Sequence, residues 1–296
     1  MPRMKTLKIA ALNITIHPHK PELYVNLIRD VFKSRKPARF RSNHFGMIGT
    51  FHYLEEDDPL SGIHGELHKF LDFDMEEEWL NLNAHKKADK DDLEEVNIPE
   101  HLKPDFSSAR YVFYPRRHRL FFESFTADRK SFGPQTVERI FAGLFNNVTI
   151  KRKYGPVDVT VEPTREGLEK IFEIPKLRRL KIILTKPNAD DQDEEETKVL
   201  ERLDNQNARR METTLVGESG MTLAPDEDTR VLASVAASNG RVFGEGKDIE
   251  GKPVSESTED HPWQDVVRYN PKSQGPREAF LSRVADVARN FRARLR

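Results

Sequence analysis

Basic side chains are concentrated around a predicted turn near the middle of the chain. The segment from Asp105 to Lys153 contains ten lysines and arginines against four acids, a net charge of +6. Cations that lie together bind a phosphate backbone and release its counterions, and the ring of Tyr114 is placed to stack on an unpaired base. The sequence therefore predicts nucleic-acid contacts here, with a solvated turn as the alternative. The predicted contact residues are Arg116, Arg117, Arg119, Lys151, Arg152 and Lys153.

A second group of chemically active side chains lies in the predicted strand that follows Gly62. Residues two apart share a face of a strand, so His64, Glu66 and His68 are expected side by side, with Asp72 further along. Imidazole and carboxylate groups are ligands of zinc, iron and manganese. The spacing matches no named metal motif, and a polar strand face directed towards water is the simpler interpretation. We therefore predict neither a metal site nor a cofactor, and we keep these residues as a metal-dependent alternative.

His118 offers acid–base chemistry without a metal. A histidine among arginines can transfer protons while the arginines stabilise a phosphorane, as RNA cleavage requires. No second catalytic group stands at a defined spacing, and an exposed histidine without a catalytic role accounts for the same pattern. The chain also lacks the GxxxxGK[ST], GxSxG and HExxH motifs. The sequence thus leaves open whether the protein is an enzyme.

A β-hairpin and a helix are predicted to position the basic turn. Two aromatic strands, 111–114 and 119–123, are separated by the turn-forming sequence PRRH. Pro134 then begins a helix, because its missing N–H costs nothing in a first turn. Apolar residues at helical spacing predict one buried face on this helix. They are Val137, Ile140, Phe141, Leu144 and Phe145.

The remaining periodicity predicts an α+β fold with mainly antiparallel sheets, packed helices, two strand–helix units and a C-terminal helix. A break at Gly155 divides the chain into two predicted α+β domains, 1–155 and 156–296. Strands are expected at 7–16, 45–54, 61–73, 157–161 and 180–185, with a late hairpin at 241–257. Helices are expected at 22–33, from Thr164 to Phe172, from 190 to about Met211, at 225–238 and at 276–296.

Acidic and basic residues are unevenly distributed along the chain. Residues 72–100 hold eleven acids and three lysines, which predicts a surface excursion. A second acidic run occupies 190–196, and both stretches could mask a basic face or bind that of a partner. The terminal helix 276–296 has six arginines against two acids, which makes it a second candidate surface for nucleic acid.

The overall composition excludes several classes of protein. The 296 residues include 33% charged and 36% hydrophobic residues at a net charge of −1, so nucleic-acid affinity would depend on where the charges lie. The absence of cysteine excludes disulfides, thiolate metal sites and a cysteine nucleophile. There is no 18-residue apolar run and no signal-peptide core, so we expect a cytoplasmic protein without membrane contact.

The order of an aromatic hairpin, the sequence FGPQT from Phe132 and an amphipathic helix resembles the RexA-like phage-exclusion family. The segment LKIILTKPN from Leu180 and a late hairpin ending in SEST are similar to uncharacterised RexA-like bacterial proteins of comparable length. The resemblance implies a role in abortive infection and DNA binding as a dimer. It implies no catalytic residues, and the two acidic stretches have no counterpart in the pattern.

We therefore expect a phage-defence protein of the abortive-infection type. It is expected to be a homodimer that binds nucleic acid, DNA in preference to RNA, through its basic hairpin face, with a protein partner encoded nearby. One alternative is a nuclease toxin that cleaves RNA or DNA. The other is a protein-interaction module that recruits a defence partner.

Overall fold

The computed structural model describes residues 4–73, 78–94, 96, 98–188, 194–289 and 291. Its strands are β1 (Lys5–Thr15), β2 (Ala38–Arg41), β3 (His44–Ile48), β4 (His52–Tyr53), β5 (Ile63–Leu71), β6 (Leu80–Asn81), β7 (Lys86–Lys87), β8 (Ser107–Tyr114), β9 (Arg119–Phe125), β10 (Asp158–Val161), β11 (Lys176–Thr185), β12 (Arg210–Val216), β13 (Gly240–Lys247), β14 (Pro253–Ser257) and β15 (Gln264–Tyr269). Its helices are α1 (Pro21–Ser34), α2 (Lys90–Glu94), α3 (Pro134–Phe145), α4 (Val148–Tyr154), α5 (Arg165–Phe172), α6 (Glu194–Asn205), α7 (Glu227–Ser238) and α8 (Pro276–Arg289).

Strand β1 lies at the centre of a large antiparallel sheet. It pairs with β9 along one side, while β15 and β10 share its other side; β8, β5, β3 and β2 continue the sheet beyond β9. Leu7 and Ile9 pack under α8, whereas Leu12 and Ile14 face the core formed by α1, α3 and α4. Because both faces are covered, every residue of β1 from Ile9 to Thr15 is buried, without the alternation of a strand that is exposed on one face. The result is a sheet between two helical layers.

Helix α3 covers the hairpin as its periodicity predicts. Pro134 occupies the first turn, and Val137, Ile140, Phe141 and Leu144 are all buried. Phe141 contacts the ring of Tyr111 in β8 edge-on at 6.1 Å. This packing holds β8 and β9, and therefore the basic turn between them, at a fixed place on the sheet.

A smaller antiparallel sheet has the order β12-β11-β13-β14 and carries α5, α6 and α7 on one face. Leu180, Ile182 and Leu184 of β11 form its core, as the alternation of apolar residues predicted. The predicted α+β class, with antiparallel sheets and a C-terminal helix, is confirmed.

Strands β2, β6, β7, β12 and β15 were not predicted, and neither were helices α2 and α4. The helix expected to continue to about Met211 ends at Asn205, and β12 then pairs with β11 along its whole length. Tertiary pairing overrides the weak local signal, because alternate residues of β12 stay exposed and supply few apolar positions. Strand β15 was missed for the same reason, because every second residue is exposed.

The chain returns to the large sheet after the predicted boundary at residue 155. Strands β10 and β15 pair with β1, and α8 packs on the same sheet. The smaller sheet and its helices are thus inserted between β10 and β15. Among the described helices, none is both long and apolar enough to cross a membrane.

Candidate nucleic-acid interface

The tip between β8 and β9 is a 3₁₀ turn whose two arginines are held by other parts of the chain. The Arg116 guanidinium lies 3.3 Å from the Asp58 carboxylate, and its side chain is 61% exposed. Arg117 instead donates a hydrogen bond to the backbone carbonyl of Ala288 in the last turn of α8. A cation is favourable there because the carbonyl end of a helix carries negative partial charge. The tip is therefore anchored to the terminal helix.

Arg119 faces the interior, which corrects the prediction that it contacts nucleic acid. It lies opposite Asn13 in the β1–β9 ladder, and its side chain is 6% exposed. Its Nε atom lies 2.5 Å from Glu162 Oε1, and Nη1 donates to Asn13 Oδ1 at 2.6 Å. Arginine is normally a surface residue unless it is paired, and its buried partner comes from a segment 43 positions later in the sequence. Arg119 is a structural residue.

His118 is also buried, so it is not the exposed histidine of the simpler interpretation, and in the acid–base alternative it has no access to a nucleic-acid strand. Its Nδ1 lies 2.8 Å from Asn13 Oδ1. The Asn13 amide donates to the Ser238 carbonyl and to Asn239 Oδ1, and both acceptors lie at the end of α7. This buried polar network joins the large sheet to the inserted module.

Helix α4 displays the other three predicted contact residues on the surface. Its N-cap is Asn147, whose side chain accepts a hydrogen bond from the Ile150 N–H. Lys151, Arg152 and Lys153 follow in the last turn and are all exposed. Their exposure leaves these three cations accessible to a ligand, and the prediction that they contact nucleic acid stays a prediction.

A single carboxylate, Asp30, fixes α4 against α1. Lys153 Nζ and the Tyr154 hydroxyl both donate to Asp30 Oδ2 at 2.6 Å. Burial raises the pKa of Asp30, but these two hydrogen bonds outweigh it, so the pKa lies below its ordinary value. Asp30 is therefore ionised at neutral pH, and its charge is balanced within the contact.

The contact brings a second basic segment beside α4. Lys33 is three residues from Asp30 and so lies on the same side of α1, and Arg35 and Lys36 follow at its exposed end. The segments 23–41 and 146–157 contain no acid other than Asp30. We define the α1–α4 basic surface as Lys33, Arg35, Lys36, Lys151, Arg152 and Lys153.

The hairpin tip and the terminal helix, which the sequence offered as separate basic surfaces, meet at one pocket of about 340 Å³. Arg116, Arg117 and Arg289 line it, together with Tyr114. Arg289 hydrogen-bonds to Asp286, so each of the three arginines has a partner within the chain. The α1–α4 basic surface therefore offers more uncompensated charge than the tip.

The polar residues of β5 share one face, as predicted, but they do not converge. Glu66 Oε2 lies 3.5 Å from His68 Nε2 and accepts a hydrogen bond from Ser108 Oγ at 3.1 Å. His64 instead stacks on His52 at 5.3 Å. Over the described parts of the chain, no three histidine, aspartate or glutamate residues are grouped to hold a metal ion.

The acidic stretch 72–100 is described only in part. Strands β6 and β7 pair as a short hairpin, and Lys87 lies 2.6 Å from Glu78. Asp72 pairs with Lys103 at 2.5 Å, which ties the start of the stretch to the chain beyond it. Residues 74–77, 95 and 97 lie outside the described part, as do 190–193 of the second acidic run.

These features define an α+β protein with a helix-covered antiparallel sheet, an inserted second sheet and a basic surface formed by two helices. The family model described as "Domain of unknown function (DUF4747)" matches residues 5–285, so the chain belongs to this family. No curated protein matches the chain. The resemblance to RexA-like proteins stays a prediction.

Proposed function

We propose that the protein binds nucleic acid and that the α1–α4 basic surface contacts the phosphate backbone. The observation that carries the proposal is the clustering of six exposed cations around one internally balanced carboxylate, Asp30. Cations grouped in this way gain free energy by releasing the counterions that surround nucleic acid. A surface of lysines and arginines on two helices contacts phosphates without reading base edges.

Duplex DNA is the proposed ligand, with RNA as the competing one. The choice of DNA rests on the resemblance to RexA-like proteins, because backbone contacts by themselves do not discriminate strongly between the two. The exposed Arg116 at the hairpin tip is a secondary contact, since it must leave Asp58 to reach a phosphate.

The salt dependence of binding gives a quantitative expectation. If about four of the six cations contact phosphates, affinity for duplex DNA falls about 100-fold between 50 and 200 mM salt. Reversing two charges in Lys151→Glu/Arg152→Glu should weaken binding at low salt by about tenfold or more and flatten this dependence. Both residues are exposed, so the fold should be unaffected.

The matched control is Lys170→Glu/Lys176→Glu, which makes the same change of charge at exposed positions of the inserted module. Labelled duplex DNA, single-stranded DNA and RNA are titrated with each protein at two salt concentrations, and the products are run on native and denaturing gels. Equal loss of affinity in both double variants would refute the placement of the interface. Cleaved strands would instead support the nuclease alternative.

We also propose a role in phage defence, as a homodimer, on the strength of the same resemblance. Plaque formation on cells that express the wild-type chain should be reduced, and Lys151→Glu/Arg152→Glu should restore it while Lys170→Glu/Lys176→Glu does not. Light scattering of the purified chain measures its mass in solution, and a homodimer should have twice the 34.3 kDa of one copy. A partner that copurifies after nuclease treatment would support the interaction-module alternative.

A further inference from the structure

A polar pocket of about 210 Å³ lies on the face of the large sheet opposite the α1–α4 basic surface. Its walls are β4, β5 and β8 on one side and the first turns of α8 on the other. The charged or titratable groups along it, apart from the buried Tyr111 hydroxyl, are His52, His64, Glu66, Arg110 and Arg277. None of them takes part in the interface proposed above.

Two histidines face each other across neighbouring strands in this pocket. His52 and His64 are directly opposed in the β4–β5 ladder, and their rings stack at 5.3 Å with 24° between their planes. Burial lowers the pKa of His64, and the charges of Arg277 and His52 lower it further. These effects oppose protonation of His64, and an anion bound in the pocket would favour it.

The other charged groups differ in whether they are already engaged. Arg110 is bound to Glu123, with Nη1 at 3.0 and 3.3 Å from the two carboxylate oxygens. Glu66 is turned to Ser108 and His68. Arg277 is exposed, and within the described ranges it makes no ion pair. Unlike Arg110, Arg277 is thus a permanently charged cation that remains available to a ligand in this pocket.

This balance of groups favours an anion over a cation. A metal ion would need Glu66 together with both imidazoles, yet no such convergent set exists among the residues that the structure describes. Arg277 would also repel a metal ion, whereas it attracts an anion and both imidazoles become donors when protonated.

The volume restricts the size of the ligand. Since a water molecule occupies about 30 Å³ of liquid, the pocket holds the equivalent of about seven waters. Pockets that enclose whole drug-sized ligands begin at about 300 Å³. The space therefore suits a tetrahedral oxyanion group whose remaining atoms extend into solvent.

We propose that this pocket binds a tetrahedral dianion, the phosphate group of a phosphomonoester, through Arg277 and the His52–His64 pair. Arg277 supplies a permanent charge and paired N–H donors. His64 takes up a proton as the anion enters, so binding strengthens as the pH falls. The site is separate from the α1–α4 basic surface and does not depend on it.

The test is calorimetric titration of the full chain with sulfate at constant ionic strength, at pH 5.5, 6.5 and 7.5. Sulfate keeps its charge over this range, so any pH dependence belongs to the protein. Affinity should rise about tenfold or more from pH 7.5 to 5.5, which corresponds to about one linked proton. The histidine ring resonances in NMR should show a higher pKa for His64 when sulfate is bound.

Three variants separate the contributions of the pocket residues. Arg277→Gln should weaken sulfate binding about tenfold or more at every pH, and His52→Asn/His64→Asn should remove the pH dependence. Arg139→Gln, at an exposed arginine of α3, is the matched control and should leave binding unchanged. Sulfate binding that is independent of pH, or unchanged in Arg277→Gln, would overturn the proposal.

Oligonucleotides with and without a 5′-phosphate distinguish two sources of the same group. If the 5′-phosphate increases affinity and Arg277→Gln abolishes the increase, the pocket receives the end of a strand. If inorganic phosphate binds but the 5′-phosphate adds nothing, the ligand is a free phosphomonoester. If neither the phosphates nor sulfate bind, the inference is wrong, and the duplex-binding variants above still decide the proposed function independently.

Discussion

The buried ion pair between Arg119 and Glu162 can be broken by a single substitution. The Glu162 side chain is fully buried and that of Arg119 is 6% exposed. In Glu162→Gln the arginine keeps its charge but loses its counter-ion in a site with little access to water. Removing one partner of a buried pair costs about 3–5 kcal/mol. Because glutamine retains an acceptor oxygen, we expect a value near 3 kcal/mol.

Urea denaturation followed by circular dichroism measures this loss as a lower midpoint with an unchanged slope. The matched variant is Arg119→Met/Glu162→Gln, in which neither charge remains. It should be more stable than Glu162→Gln alone, because the buried arginine charge that lost its carboxylate is gone. A loss below about 1 kcal/mol in Glu162→Gln would refute the account, since that is the size of an exposed ion pair. The account would also be refuted if the double variant lost as much stability as Arg119→Met and Glu162→Gln lose when their separate losses are added.

Two further predictions concern pH and helix capping. Burial raises the pKa of Glu138 to about 7 despite the opposing charge of Arg241, so the folded state holds a proton that the unfolded state has lost. Stability from this group is therefore present below about pH 4.5 and declines up to about pH 7, by about 3 kcal/mol at most. Glu138→Gln should remove that decline from the pH dependence of the urea midpoint; an identical decline in the variant would show that another group is responsible. Asn147→Ala removes the N-cap of α4 and should cost about 1 kcal/mol; an unchanged melting temperature together with unchanged duplex affinity would show that the cap does not hold the α1–α4 basic surface in place.

Much of the secondary structure follows from local patterns. The spacing of Val137, Ile140 and Phe141 predicts the buried face of α3, and Thr164 caps α5 as its residue type suggests. Alternation along β5 places His64, Glu66 and His68 on one face. These features depend on periods of two and 3.6 residues, which are visible in any single segment.

Strand β12 and the return of β10 and β15 to the large sheet depend on distant partners instead. The residues of β12 alternate between exposed and half-buried positions, so their pattern resembles the end of a polar helix. Pairing with β11 makes this segment a strand, because it satisfies the backbone N–H and C=O groups along the whole segment. The sequence of a polar strand at the edge of a sheet therefore gives little indication that the segment is a strand or of which strand it pairs with.

The candidate interface shows the same division between local and distant information. The sequence by itself determined the charges: the basic runs at 33–41, 116–119 and 151–153, and the hairpin on which the second run lies. The tertiary structure alone decided which charges reach the surface. It buried Arg119 against Glu162 and joined α4 to α1 through Asp30. The physical reason is that burying a charge costs free energy unless a partner is near, and whether a partner is near depends on contacts between segments far apart in the chain.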